Sequence, residues 1–154
     1  MRQNYLKQLD ALHTSLICLG ALCEDAIASA TKALLEEDCK LRDKTAALEQ
    51  EINLIERDIE QQCVRLILQQ QPVAGDLCRV AASQRMIVDM DRIGDQAADI
   101  AQLSSFLVNS PVQSDIHISD LVRAPSHMVT DNLYAFVCKC AELYHRGFAY
   151  DVIL

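Results

Sequence analysis

The chain has 154 residues, 51% of them hydrophobic, with four Gly, three Pro and no Trp. That is the length of one domain with ample apolar material for a core, and Ala, Leu, Gln and Glu, which favour helix, dominate it. A formal net charge of −8 argues against nucleic-acid binding, which needs a basic footprint; it suits a cation or a basic protein partner and by itself chooses neither.

A first helix is predicted over residues 3–37. Tyr5, Leu9, Leu12, Leu16, Leu19, Cys23, Ala26, Ala30 and Ala33 recur at alternating steps of four and three, a coiled-coil-like seam. The seam narrows from Leu to Ala, so a neighbour can approach closely at its far end. Charged residues interrupt the first twenty positions, which excludes a signal peptide at the start. No uninterrupted apolar run approaches ~20 residues, so no bilayer span is expected.

Asp38 and Cys39 mark a soft break. A second helix follows to about Gln71, with Leu48, Ile52, Ile55, Ile59, Cys63 and Leu66 inward. In QPVAGD, residues 71–76, Pro72 and Gly75 end the pattern. A third helix runs from Val73 or Asp76 to about Asn109, with Leu77, Val80, Ala81, Ile87, Val88 and Ala98 as its apolar face. Asp76 suits the positive end of that helix's dipole. NSPVQSDIHISD, residues 109–120, reads as a linker. A fourth helix is expected over 119–150, with Leu133, Phe136, Val137, Leu143 and Phe148 inward.

The fourth helix looks like the start of an internal repeat. A shift of 102 positions lays Ala33 and Leu34 on Ala135 and Phe136, Leu41 on Leu143 and Glu49 on Asp151. The expected organisation is a three-helix repeat over 1–110, then a linker and the first helix of an incomplete second repeat over 111–154. The fold class is all-α: an antiparallel three-helix bundle with a fourth long helix. Burying one large apolar side chain is worth roughly 1.5–3 kcal/mol, so an uncovered stripe on the fourth helix favours association. Either it closes a four-helix bundle on its own unit or two chains exchange helices. The homodimer is the expectation, because the terminal DVIL looks unfinished.

The seven cysteines are an odd number with no CxxC pair. Most fall on apolar helix positions, where a thiol behaves as a small hydrophobe, and a reducing cytoplasm is the expected compartment. Cys138 and Cys140 stand two apart and point to different helix faces, so core or surface thiols are the better reading of that pair. Glu142 and His145 form one ExxH, but His13, His117 and His127 supply no second copy for a di-iron site. No Gly-rich phosphate loop and no nucleophile-and-base set stands out.

Two carboxylate stripes carry the chemistry. Glu49, Asn53, Glu56 and Glu60 share one face of the second helix, and Asp91, Asp95 and Asp99 one face of the third. Antiparallel helices rising ~1.5 Å per residue place positions equally far from the turn at one height. Reflection about residues 73 and 74 takes Glu49 to about residue 98, Asn53 to about 94 and Glu56 to about 91. Asp89 points roughly 160° away from Asp91. Such a cluster needs protons, bases or a metal cation to neutralise it. The plain alternative is a solvated acidic face with Arg57 and Arg92 as counter-ions.

Residues 63–101, CVRLILQQQPVAGDLCRVAASQRMIVDMDRIGDQAADIA, resemble the PhoU family, with its QP-containing turn, a DLR-like helix start and a (D/E)RIGD motif. Here these read QQPVAGDLC and DRIGD. Departures are Asp91 where Glu is common, Cys78 in place of the Arg of DLR, and one motif pair where the family normally has two. The resemblance implies a metal site built from Asp91 and Asp95 with Glu49 and Asn53, Asp99 and Glu56 lying a turn beyond within bridging reach. Oxygen donors without His suit hard cations such as Mg, Mn, Ca or oxidised iron; the implied cofactor is a divalent or trivalent metal ion, with Mg, Mn, Fe or Zn in view. It further implies a cytoplasmic, non-enzymatic adaptor. Its partners would be a sensor histidine kinase and the ATPase of a high-affinity phosphate transporter, with membrane association only through them. A metal-binding bundle with a storage or hydrolytic role is the second reading, and a plain coiled-coil scaffold the third.

Overall fold

A computed structural model of the chain describes residues 2–36, 38–72, 75–107 and 118–138. Apart from Asp38, Gln71 and Pro72 it is helical over those residues: α1 (Arg2–Glu36), α2 (Cys39–Gln70), α3 (Gly75–Leu107) and α4 (Ile118–Cys138). Each of the first three is about 50 Å long at ~1.5 Å per residue. The predicted Leu143, Phe148 and Asp151, the ExxH pair Glu142 and His145, most of the 109–120 linker and the DVIL end lie outside the described residues.

The breaks have local causes. Asp38 caps α2 in an extended conformation (φ −87°, ψ 112°), its carboxylate accepting from the Lys40 N–H at 2.8 Å. At the other end Gln71 adopts the left-handed conformation (φ 44°, ψ 56°) and its N–H donates to the Ile67 carbonyl at 3.1 Å. That is a helix-terminating geometry usually given to Gly, and Pro72 follows where the helix cannot continue.

α1 is the hub. It packs on α2, α3 and α4, while α2 and α3 also pack on each other. The seam from Leu9 to Ala33 is buried as the sequence period requires, with Tyr5 half-buried. Gln8 against Gln69 and Ser15 against Gln62 show α1 and α2 antiparallel, and Cys23 against Met90 places α3 beside them. By length and composition Gln3–Glu36 is apolar enough to cross a bilayer. Unbroken apolar runs do not reveal this because Glu24 and Asp25 interrupt it. In the fold its apolar stripe is the core of the bundle.

The inward face of α3 differs from expectation. Val80 and Ile87 are buried, but Leu77 and Val88 are exposed. The actual seam is Val80, Ser83, Ile87, Met90, Gly94, Ala97, Ala101 and Ser104. Its steps alternate three and four, and its small polar members conceal it from a search for large apolar residues. Ser83 and Ser104 are tolerated inside because their hydroxyls donate to the Arg79 and Ala101 carbonyls.

α4 lies against α1 and, among the described residues, packs on no other helix. Leu133 sits over Gly20, where an added Cβ would overlap its Cδ2. Phe136 meets His13 edge-on, with centroids 6.4 Å apart and planes at 82°. Rising numbers on α1 thus meet falling numbers on α4, so the two are antiparallel. Gly20→Leu should therefore strip α4 from the bundle rather than unfold it, at an overpacking cost of about 1–3 kcal/mol. Amide hydrogen exchange should show residues 127–138 losing protection while α1–α3 keep theirs; unchanged α4 protection would refute this docking.

Candidate functional site

The site lies where α2 and α3 approach closely, at Gly94 and Ile52. A Cβ on Gly94 would stand 3.0 Å from Ile52 Cδ1 and 3.2 Å from its Cγ2. Gly94 is buried and Ile52 is fully buried beneath it. Ile52 is β-branched and stiff at χ1, so its Cγ2 has little room to retreat from a larger residue. The glycine inside DRIGD therefore sets the spacing of the two helices at the level of both carboxylate stripes. The sequence contains this residue in plain view, but only the facing Ile52 explains it.

The contact also confirms the register: residues 52 and 94 sum to the value expected for reflection about 73. Glu49 and Asn53 are half-buried on α2, and the Asn53 amide donates to Glu49 Oε1. Asp91 is half-buried on α3 and Asp95 is exposed one turn on. Burial first, then the charges of Asp95 and Glu49, hold the Asp91 carboxyl above the ordinary Asp range, and Arg57 pulls it back in part. Glu56 is likewise raised, by burial and then by Asp91 and Glu60, with Arg57 opposing. The structure thus brings Glu49, Asn53, Asp91 and Asp95 into one electrostatic neighbourhood and adds Glu56. Asp99 is exposed and does not figure among the charges acting on Asp91.

One oxygen of Asp91, Oδ1, is buried without a hydrogen-bond partner. Among the described residues no basic nitrogen lies within 4.0 Å of any of these carboxylates; the ion pair formed is Arg79 with Asp76, elsewhere on α3. The counter-ion reading therefore lacks direct pairs. Nor do three or more acidic, His or Cys side chains converge at metal-binding spacing among the described residues. The donor set nonetheless fits a hard cation: it is all oxygen, net negative, and includes a buried oxygen with nothing to accept from.

Beneath the site lies Cys23 of α1. Its thiol donates to the Met90 carbonyl at 3.5 Å and is pushed up to about 12 by burial, then by Asp91 and Glu24. Cys63 is pushed up to about 11 by burial and Glu60. Both therefore stay protonated at neutral pH and act as small core residues, while Cys18, Cys39 and Cys78 are exposed free thiols.

Residues 16–104, more than half of the chain, match the PhoU domain. The chain belongs to the PhoU family. It is 33% identical to a phosphate-specific transport system accessory protein PhoU homolog of Pseudomonas putida, over 97% of this chain and 59% of that protein. The homolog from Aquifex aeolicus is 30% identical over 85% of this chain and 60% of its own length, and the Escherichia coli K12 protein 30% over 84% and 54%. The chain thus spans under two thirds of these relatives. The crystal structure of PhoU from Pseudomonas aeruginosa superimposes with a TM-score of 0.83 at 28% identity, covering 90% of this chain and 68% of that one.

The raised Asp91 carboxyl has a stability consequence with a definite sign. A folded-state pKa above the unfolded value disfavours the folded state once pH rises through it, and the effect vanishes below the unfolded value, ~3.9 for Asp. Asp91→Asn should therefore raise the melting temperature at neutral pH in chelator, and the gain should shrink to nothing as pH falls to about 4. A lower melting temperature for the variant at neutral pH would show that Asp91 stabilises the fold instead.

Proposed function

We propose that this chain is a PhoU-type adaptor that regulates phosphate uptake and phosphate-responsive signalling through protein contacts. Its partners in this reading are the ATPase of a high-affinity phosphate transporter and a sensor histidine kinase. It works in the cytoplasm and carries out no turnover of its own. What supports the reading is family membership, together with relatives described as accessory proteins of phosphate-specific transport. A three-helix repeat over 1–110, followed by the beginning of a second over 111–154, belongs to the same proposal, as does association into a homodimer.

The metal part of the proposal places one or more hard cations on Glu49, Asn53, Asp91 and Asp95, with Glu56 and Asp99 at the margin. Bound metal would supply positive charge between α2 and α3. The chain's own residues do the rest. Gly94 and Ile52 hold the helices close, the Asn53 amide orients Glu49, and Asp91 offers a buried oxygen without a partner. That last oxygen is the observation that carries the metal reading, because an unpaired buried acceptor costs about 1–3 kcal/mol.

Two measurements test this function. Asp91→Asn combined with Asp95→Asn should abolish binding of Mn²⁺ or Fe³⁺ while leaving the helical circular dichroism spectrum intact; equal metal content in variant and parent by elemental analysis would remove the metal site. In pull-down with purified components, the chain should bind the transporter ATPase or the kinase without hydrolysing phosphate esters. Hydrolysis lost on removing Asp91 would favour a hydrolytic bundle instead.

A further inference from the structure

Two arginines stand beside the carboxylate groove, Arg57 on α2 and Arg92 on α3, and the fold gives them different places. Glu49, Asn53 and Arg57 follow one another at steps of four, one row along α2 that drifts ~40° per step. Arg57 ends that row on its outer side and is exposed. The register set by Ile52 on Gly94 puts Asp91 about 3 Å from Arg57 along the bundle axis and about 1.5 Å from the level of Glu56. A long, flexible stem lets the guanidinium reach over the mouth of the groove from there. Its charge draws both the Asp91 and the Glu56 carboxyl back toward the ordinary range. Yet no Arg57 nitrogen comes within 4.0 Å of a described carboxylate, so it is a neighbouring charge and not a bonded partner. Arg92 is exposed, is turned ~100° from Asp91 on α3, and does not figure among the charges acting on Asp91 or Glu56.

We propose that Arg57 is the resident counter-ion of the groove and that a divalent or trivalent cation displaces it on binding. The separation suits such an exchange. A bidentate Arg–carboxylate pair is strong and would have to be broken before a metal could enter. A hydrated guanidinium beyond direct contact returns to solvent with little loss. Asp91 Oδ1 is buried and accepts from nothing, so Arg57 offsets charge in the groove without occupying the oxygen that a metal would take. A monovalent ion brings no more charge than the one it displaces. Attraction scales with the charge brought in, so the exchange favours ions of charge two or three. The inference rests on the metal reading of this groove and names what the chain itself sets against the metal.

The test follows Mn²⁺ binding to the full chain by titration calorimetry and its melting in EDTA by circular dichroism. Arg57→Gln should bind Mn²⁺ at least ~3-fold more tightly than the parent, and the gain should shrink as salt is raised. In EDTA the same variant should melt about 1–3 °C lower, because the carboxylates lose their counter-charge. That loss should be smaller when Asp91→Asn is already present. Tighter metal binding together with lower metal-free stability is what an exchanged counter-ion produces; a substitution that merely loosened the fold would weaken both. Arg57→Lys keeps the charge and should stay within about twofold of the parent in Mn²⁺ affinity. Arg92→Gln makes the same change in net charge from the outer side of α3 and should stay within about twofold as well. Arg57 and Arg92 are both exposed, and the far-ultraviolet spectrum checks that each variant stays helical. An equal gain in Arg92→Gln would assign the effect to net charge and overturn the proposal. So would an unchanged melting temperature of Arg57→Gln in EDTA. Absence of saturable Mn²⁺ binding in both parent and Arg57→Gln would remove the metal reading and this inference with it. Saturable binding that Arg57→Gln leaves unchanged or weakens would remove this inference alone.

Discussion

Ile52 occupies the space that Gly94 leaves empty, and that single contact fixes both the separation and the register of α2 and α3. Everything at the candidate site follows from it. The carboxylates on each helix are set by helical period, but their proximity across the groove depends on how closely two backbones approach. A glycine within the DRIGD segment permits that approach, while a fully buried, stiff Ile52 on the other side prevents further collapse. Opposing this packing are like charges that the same contact forces together. Hydrophobic burial along three ~50 Å helices far exceeds the repulsion of a few half-exposed carboxylates, so the fold forms and the strain is left at the surface, where a cation or a basic partner can relieve it.

α1 gives the bundle its asymmetry. Its seam serves α2 and α3, and an adjacent strip around His13 and Gly20 serves α4. The fourth helix is thus joined to the three-helix unit through one partner. Among the described residues the outer faces of α2 and α3 remain clear of it, and the carboxylate groove with them.

Much of this was legible in the sequence because helical period is a strong signal. The α1 seam is legible residue by residue, and reflection about the QPVAGD turn puts Ile52 and Gly94 at matching heights, as their contact shows. It even places Glu56 opposite Asp91, a turn beyond the four residues Glu49, Asn53, Asp91 and Asp95, where Asp99 also stands. The α3 core is not legible in the same way, for a physical reason. A helix buried between two neighbours at close range needs small residues, so Ser83, Gly94 and Ser104 line its seam while Leu77 and Val88 stay outside. Size-ranked apolarity points the wrong way there. The role of Gly94 was hidden because it is defined by a side chain some forty positions away. That α4 docks on α1 is hidden as well, since the contact joins Leu133 to a glycine far away in the sequence.

The central claim is that packing holds these carboxylates together against their mutual repulsion. Nuclear magnetic resonance of the Asp91 side-chain carboxyl, titrated in chelator with the fold intact, tests it most directly. The account predicts a pKa above the ordinary value of ~3.9, lowered when Asp95 is replaced by Asn. A value at or below the ordinary one, unmoved by that replacement, would show that the charges on α2 and α3 do not constrain each other and would contradict the account.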